Sequence, residues 1–219
     1  QYLYAGTSSW VARSTGVYAL PGATVEFVFP QEAVGAGFEI SIGSHTDELW
    51  HKDEITRFPA LTRREPLDTA EFNISSGFGG LVYIWVPSGS QLGTVEVEIS
   101  GGVFAPYYVH GETTLDEWLY EQRNNPAPFG ELYTDGLRLT LPSAELSELD
   151  DPEALMNYYD AVVAANIELE GREAADRSRS EWVVFDEQIS AGWMHSGYPV
   201  MAHLASVSNV LSLESMSSQ

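Results

Sequence analysis

The residue types able to do chemistry are few in this 219-residue chain: five histidines, one lysine (Lys52) and no cysteine. Their densest gathering with other reactive side chains is Gly192–Pro199 (GWMHSGYP), where two glycines frame Trp193, His195 and Ser196 and Tyr198 follows directly, just after an apolar run. Such a segment suits a loop lining a substrate cleft. It suits equally a packed turn whose aromatics plug a core while His195 bonds the backbone, and the residues alone leave both readings open. His45 and His51 stand among Asp47, Glu48 and Asp53, all metal-ligating types. Five intervening residues do not place the two histidines on one helical face, so a hydrogen-bonded loop over Trp50 is the better reading. His110-Gly-Glu112 copies the H-x-E of zinc deaminases, which also need cysteines that are absent here. There is no G-x-S-x-G elbow, and Lys52 follows His51 rather than glycine, which excludes a phosphate-binding Walker loop. Gly77-Phe78-Gly79-Gly80 precedes a strand instead of following one and reads as a hairpin turn. Asn73-Ile74-Ser75 is a glycosylation sequon with meaning only in a eukaryotic secretory pathway.

The elements that must position these residues divide into two grammars. Before about Val109 short β-strands are predicted at Val25–Phe29, Phe38–Ile42, Glu71–Ile74, Leu81–Val86 and Val95–Ser100, punctuated by Gly and Pro. Val25, Phe27 and Phe29 alternate with Glu26 and Val28, a period of two that fits half-buried antiparallel strands. Strands with no helix between them predict a β-sandwich or jelly roll. Beyond Val109, Thr114-Leu-Asp-Glu117 is a capping box that opens a helix through Arg123, stopped at Asn125-Pro126. Leu137–Leu141 is a strand, and Asp151-Pro152 starts a long helix that ends before Gly171. Residues 172–181 read as a polar surface loop, and Trp182–Phe185 as a buried strand.

Composition narrows the function classes. Acidic residues outnumber basic ones 32 to 10, for a net charge of −22, a surface that repels nucleic acid and anionic membranes. Without cysteine there is no disulfide, thiol nucleophile or thiolate metal site. No stretch reaches the ~18–20 apolar residues of a membrane helix. The chain opens at Gln1, so either a targeting segment has been removed or the sequence is a piece of a longer one.

A series of segments then resembles the enhancin-like zinc metallopeptidases, peptidase family M60, which attack mucins and other glycoproteins. In order they are Thr15–Gly22 (TGVYALPG), Ile42–Asp47 (IGSHTD), Leu49–Lys52 (LWHK), Arg57–Pro59 (RFP) and Phe78–Ile84 (FGGLVYI). Ala105–Tyr107 (APY), Arg123–Leu132 (RNNPAPFGEL), Leu139–Ser143 (LTLPS), Asp150–Leu155 (DDPEAL) and Gln188–Pro199 (QISAGWMHSGYP) complete it. The resemblance implies an α+β chain: an amino-terminal antiparallel, jelly-roll-like β-sandwich over residues 1–110, then residues 111–219 as the first part of an α/β gluzincin-type catalytic domain. It implies zinc in the full-length enzyme, held by an HExxH helix that in relatives follows the segment matching Met194–Pro199. None of His45, His51, His110, His195 or His203 begins that motif, so no catalytic or metal-ligating residue carries over to this chain. The expected function is the amino-terminal portion of a secreted or cell-surface, prokaryotic glycoprotein-directed peptidase. Its active-site residues would lie outside these residues or on a partner chain carrying HExxH. The alternative is a non-catalytic glycan- or protein-binding or surface-assembly module on the same scaffold.

Overall fold

The computed structural model describes residues 10–171, 173 and 179–217. Most of the polar stretch expected to be a loop at 172–181 lies outside them. Two compact units are present: one comprises the chain up to Ser44 together with Leu61–Phe104, the other His45–Ala60 together with the chain from Ala105 onward. The segment His45–Ala60, assigned with the first half on sequence, is thus built into the second unit.

In the first unit, β1 (Trp10–Ala19), β2 (Thr24–Val28), β3 (Glu39–Ile42), β4 (Arg63–Pro66), β5 (Glu71–Ser75), β6 (Gly80–Pro87), β7 (Glu98–Ser100) and β8 (Val103–Phe104) form two antiparallel sheets. One has the order β4-β3-β6-β1-β8 and the other β5-β2-β7. Val25 and Phe27 of β2 and Phe72 and Ile74 of β5 meet Ile40, Ile42 and Val82 of the wider sheet in one buried core. The period-two reading predicted this face correctly, because a pleated strand puts alternate residues on opposite sides.

Strand β1 escaped the sequence reading because Ser14-Thr15-Gly16 interrupts its alternation. Its pairing with β6 jumps between Ser14 and Tyr18, and the Thr15 hydroxyl bridges the irregularity by donating to the Val82 carbonyl at 2.9 Å. The Gly77–Gly80 turn carries the chain from one sheet to the other rather than closing a hairpin. A Cβ on Gly80 would lie 2.6 Å from the Gly43 backbone, so strand crossing demands glycine there.

The second unit centres on a mixed six-stranded sheet. Its strands are β9 (Tyr107–Val109), β10 (Phe129–Tyr133), β11 (Leu137–Pro142), β12 (Glu181–Asp186), β13 (Met194–His195) and β14 (Val200–His203), ordered β13-β14-β12-β11-β10-β9. The capping box is present at Thr114, opening α1 (Leu115–Tyr120). After α2 (Ser143–Leu146), Asp151 caps α3 (Pro152–Leu169) by accepting from the Ala154 amide at 2.9 Å. Helix α3 lays Leu155, Met156 and Tyr159 on Leu132, Leu139, Leu141 and Phe185. Two short helices, α4 (Val207–Val210) and α5 (Leu213–Ser217), follow, and the Tyr159 hydroxyl donates to the Val210 carbonyl at 2.8 Å.

The opposite face of this sheet is buried but polar. Thr140 donates to Glu131 at 2.8 Å and accepts from the Trp182 indole at 2.9 Å, while the Arg138 guanidinium lies 3.9 Å from the Trp182 ring centre. All four side chains are essentially inaccessible to solvent. The strand Trp182–Phe185 is therefore covered from two sides: Phe185 and the half-buried Val183 turn to the α3 side, Trp182 and Val184 to the polar side. Truncating Leu139 to alanine empties the middle of the α3 core. It should cost about 2–5 kcal/mol in denaturant melts, with secondary structure retained in dilute buffer.

Candidate functional site

The reactive residues of 45–60 and of 186–199 come together within the second unit. Asp47, read on sequence as a loop residue between strands, accepts from the Ser190 amide at 2.6 Å and from His195 Nε2 at 2.8 Å. The Ser190 hydroxyl lies 3.0 Å from the same His195 nitrogen. Asp, His and Ser in contact invite comparison with a hydrolytic triad, but the wiring is wrong for one. A triad histidine holds its carboxylate on Nδ1 and keeps Nε2 for the serine proton. Here Asp47 and Ser190 share Nε2, and Nδ1 faces the Ser196 carbonyl at 3.2 Å.

The charge state of His195 follows from its partners. A carboxylate and a carbonyl only accept, so the ring can donate to both only in its imidazolium form. Partial burial alone would push its pKa down; the Asp47 hydrogen bond and charge and the Ser196 carbonyl outweigh it and raise the pKa. Burial would likewise raise the Asp47 carboxyl, but the Ser190 amide and the His195 ring hold it below the usual carboxylate range. The trio is an ionic clamp between two loops.

A second clamp lies beside it. Arg57 Nε and Nη2 both donate to Asp186 Oδ2, at 2.8 and 2.7 Å, and Nη2 also reaches the Asp47 carbonyl at 3.1 Å. Both side chains are almost fully buried, at 6% and 3% exposure. Gln188 accepts from the Thr56 amide and donates to the Glu54 carbonyl, each at 2.8 Å. His51 donates to the Ser190 carbonyl at 3.0 Å and His45 to the Phe185 carbonyl at 3.2 Å. Burial holds His45 below its ordinary pKa, with Asp186 pulling up and Arg57 pushing down, so it stays neutral.

Of the residues singled out on sequence, Trp193 is 59% exposed and stacks on His203, with ring centres 4.5 Å apart. Ser196 is exposed, and Tyr198 turns edge-on to Trp182 at 5.6 Å. His110 is elsewhere, paired with Asp160 of α3 at 3.2 Å. Arg57, Asp186, Gln188 and Ser190 were not picked out as site residues. Nothing in their spacing pairs them; Arg57, Gln188 and Ser190 at least fall in segments that carry the family resemblance, whereas Asp186 lies outside all of them.

The amino-terminal part matches the N-terminal domain of M60-like peptidases over residues 5–100, and residues 101–219 match Peptidase M60, enhancin and enhancin-like. The chain belongs to the M60 family. It is 44% identical to human TRPM8 channel-associated factor 2 over 210 residues, covering 96% of this chain and 22% of that protein. The Xenopus laevis TRPM8 channel-associated factor homolog is 41% identical, with 96% and 23% covered. The chain thus spans between a fifth and a quarter of the length of these relatives. Among solved structures, a conserved Bacillus anthracis protein of unknown function superposes with a TM-score of 0.74 at 23% identity, covering 94% of this chain and 42% of that one. The M60 catalytic domain of Clostridium perfringens ZmpC, in complex with the sialyl T antigen, gives 0.66 at 12%, with 91% and 44% covered. These structural likenesses establish the fold: mixed α+β, β-rich at the amino end, shared with M60 catalytic domains.

The relatives correct the expectation of a prokaryotic protein, since chains 41–44% identical to this one come from human and Xenopus laevis. The zinc expected of the family finds no fit among these residues. His45, His51 and His195 each commit Nε2 to a protein acceptor, and no group of three or more His, Asp or Glu side chains able to hold a metal ion occurs among the described residues. No helix among them is long and apolar enough to cross a membrane.

Two outcomes follow for this site. With its pKa raised in the fold, His195 contributes stability below about pH 6.5 that is lost as pH rises through its folded value; the lowered Asp47 carboxyl contributes above about pH 4 and fails on acidification. The stability of the wild type relative to His195→Gln should therefore be greatest between about pH 4 and 6.5 and shrink as pH rises further, measured as urea midpoints. Asp186→Ala leaves a buried guanidinium without its carboxylate and should cost about 3–5 kcal/mol, whereas Arg57→Met with Asp186→Leu should recover most of that loss.

Proposed function

We propose that this chain is the leading part of an M60 metallopeptidase unit directed at glycoproteins, in which the zinc ligands and catalytic base reside in sequence outside these residues. The observation carrying this reading is that both family models lie end to end along the chain in the order amino-terminal domain, then peptidase. The reaction would be peptide hydrolysis by a zinc-activated water. This chain's contribution is a platform. The Asp47–His195–Ser190 and Arg57–Asp186 clamps hold the loop Ser190–Pro199 rigid, and Trp193, His195, Ser196 and Tyr198 border the substrate cleft from it. Because His195 is spent on Asp47, its role there is structural, and the exposed indole of Trp193 is the contact surface. A glycosylated substrate is supported by the solved relative in complex with the sialyl T antigen.

A second reading rests on a different observation. The 41–44% identical relatives carry names that record association with the TRPM8 channel rather than a reaction. On this reading the scaffold binds a protein partner and does no hydrolysis.

Elemental analysis and a mucin-type glycoprotein digest with the full-length protein separate the two. The enzyme reading expects about one zinc per chain, cleavage abolished by a chelator, and a roughly two- to tenfold loss of kcat/KM in Trp193→Ala without loss of stability. A full-length protein with no stoichiometric zinc and no cleavage establishes the binding module instead.

A further inference from the structure

The two sheets of the first unit are unequal, five strands against three, and the inner face of the wider one is not covered to its edge. One row across that face shows where the cover ends. Ile40 of β3 pairs with Ile84 of β6, and Ile84 with Arg13 of β1, so the three side chains share a face. Ile40 is fully buried, Ile84 half-buried and Arg13 exposed. At this end a cavity of about 410 Å³ opens. Phe29 and Phe38 are its buried floor, Ile84, Val86, Val95 and Val97 its half-buried walls, and Arg13 stands among the lining residues.

An inner-face position of a sandwich ordinarily carries an apolar residue. Arg13 breaks that pattern, and in a chain with 32 acids it forms no ion pair with any described carboxylate. Apart from Arg13, Ser90 and Gly93, the lining residues carry hydrocarbon or aromatic side chains. The volume lies within the roughly 300–1,000 Å³ of small-molecule sites, and apolar side chains with a few polar groups are what such sites combine.

We propose that this cavity binds a small amphipathic carboxylate, an acyl chain whose tail enters between Phe29, Phe38, Val95 and Val97 and whose carboxylate pairs with Arg13. The charge-assisted pair supplies orientation, and hydrocarbon burial supplies most of the affinity. The ligand is taken as a free molecule and not as part of a bilayer, because a chain of net charge −22 is repelled by anionic lipid surfaces. The site lies wholly within the first unit and is independent of any peptidase activity.

The test is calorimetric titration of the intact chain with decanoate, with 1-decanol and decyltrimethylammonium as tail-matched controls. Decanoate should bind one per chain, with neither control matching it. Arg13 is exposed, so Arg13→Gln should fold normally and weaken decanoate binding about tenfold or more while leaving 1-decanol unaffected. Val97→Trp, checked for folding by circular dichroism, should fill the cavity and abolish binding of both. Equal decanoate affinity in wild type and Arg13→Gln, decyltrimethylammonium binding as tightly as decanoate, or no decanoate binding up to millimolar concentration would each overturn the proposal. So would binding to phosphatidylglycerol vesicles without uptake of monomeric decanoate.

Discussion

The ion pair between Arg57 and Asp186 is the contact on which the second unit's construction depends. Removing two charges from water costs several kcal/mol each unless both are fully partnered. Here the guanidinium spends its donors on Asp186, the Asp47 carbonyl and the Phe58 carbonyl. That set is only available if the segment His45–Ala60 returns to the end of β12. Once it does, Asp47 meets Ser190 and His195, Thr56 meets Gln188, and His51 meets the Ser190 carbonyl. A stretch that leaves β3 and comes back to β4 is thereby taken into the second unit.

This polar construction has a counterpart in the central sheet. Strands β10, β11 and β12 present leucines and Phe185 to helix α3, and Glu131, Arg138, Thr140 and Trp182 on the other face. An apolar sheet face can slide against its cover at little cost. A buried face of directional hydrogen bonds cannot, because each displaced donor loses a partner it cannot replace with water. The α3 side supplies the hydrophobic driving force, and the polar side restricts the register.

The same economy separates scaffold from chemistry. A histidine, a serine and an aspartate in contact would be the obvious place to look for catalysis, yet ring geometry spends all three on holding loops together. A fold shared with M60 catalytic domains thus says how the chain is built and does not by itself assign it a reaction. Identity above 40% to animal proteins named for a channel, beside a fold shared with bacterial peptidases, is what such a separation permits.

By itself the sequence determined what is local. The alternation of Val25 and Phe27 fixes the inner face of β2, the Thr114–Glu117 capping box starts α1, Asp151-Pro152 starts α3, and ordered short motifs identify the family. These were legible because periodicity and capping act within a few residues. Strand β1 was hidden because its bulge breaks the period, and only Glu98–Ser100 of the expected strand Val95–Ser100 pairs, with β2. What tertiary structure alone decided is which distant groups meet: Arg57 with Asp186 across 129 positions, Asp47 with His195 across 148. Nothing along the chain marks Arg13 either; the packing of two sheets of unequal width places it beside an open cavity. Ion pairs and cavity walls form wherever the packed elements bring side chains together, and no spacing along the chain records that meeting.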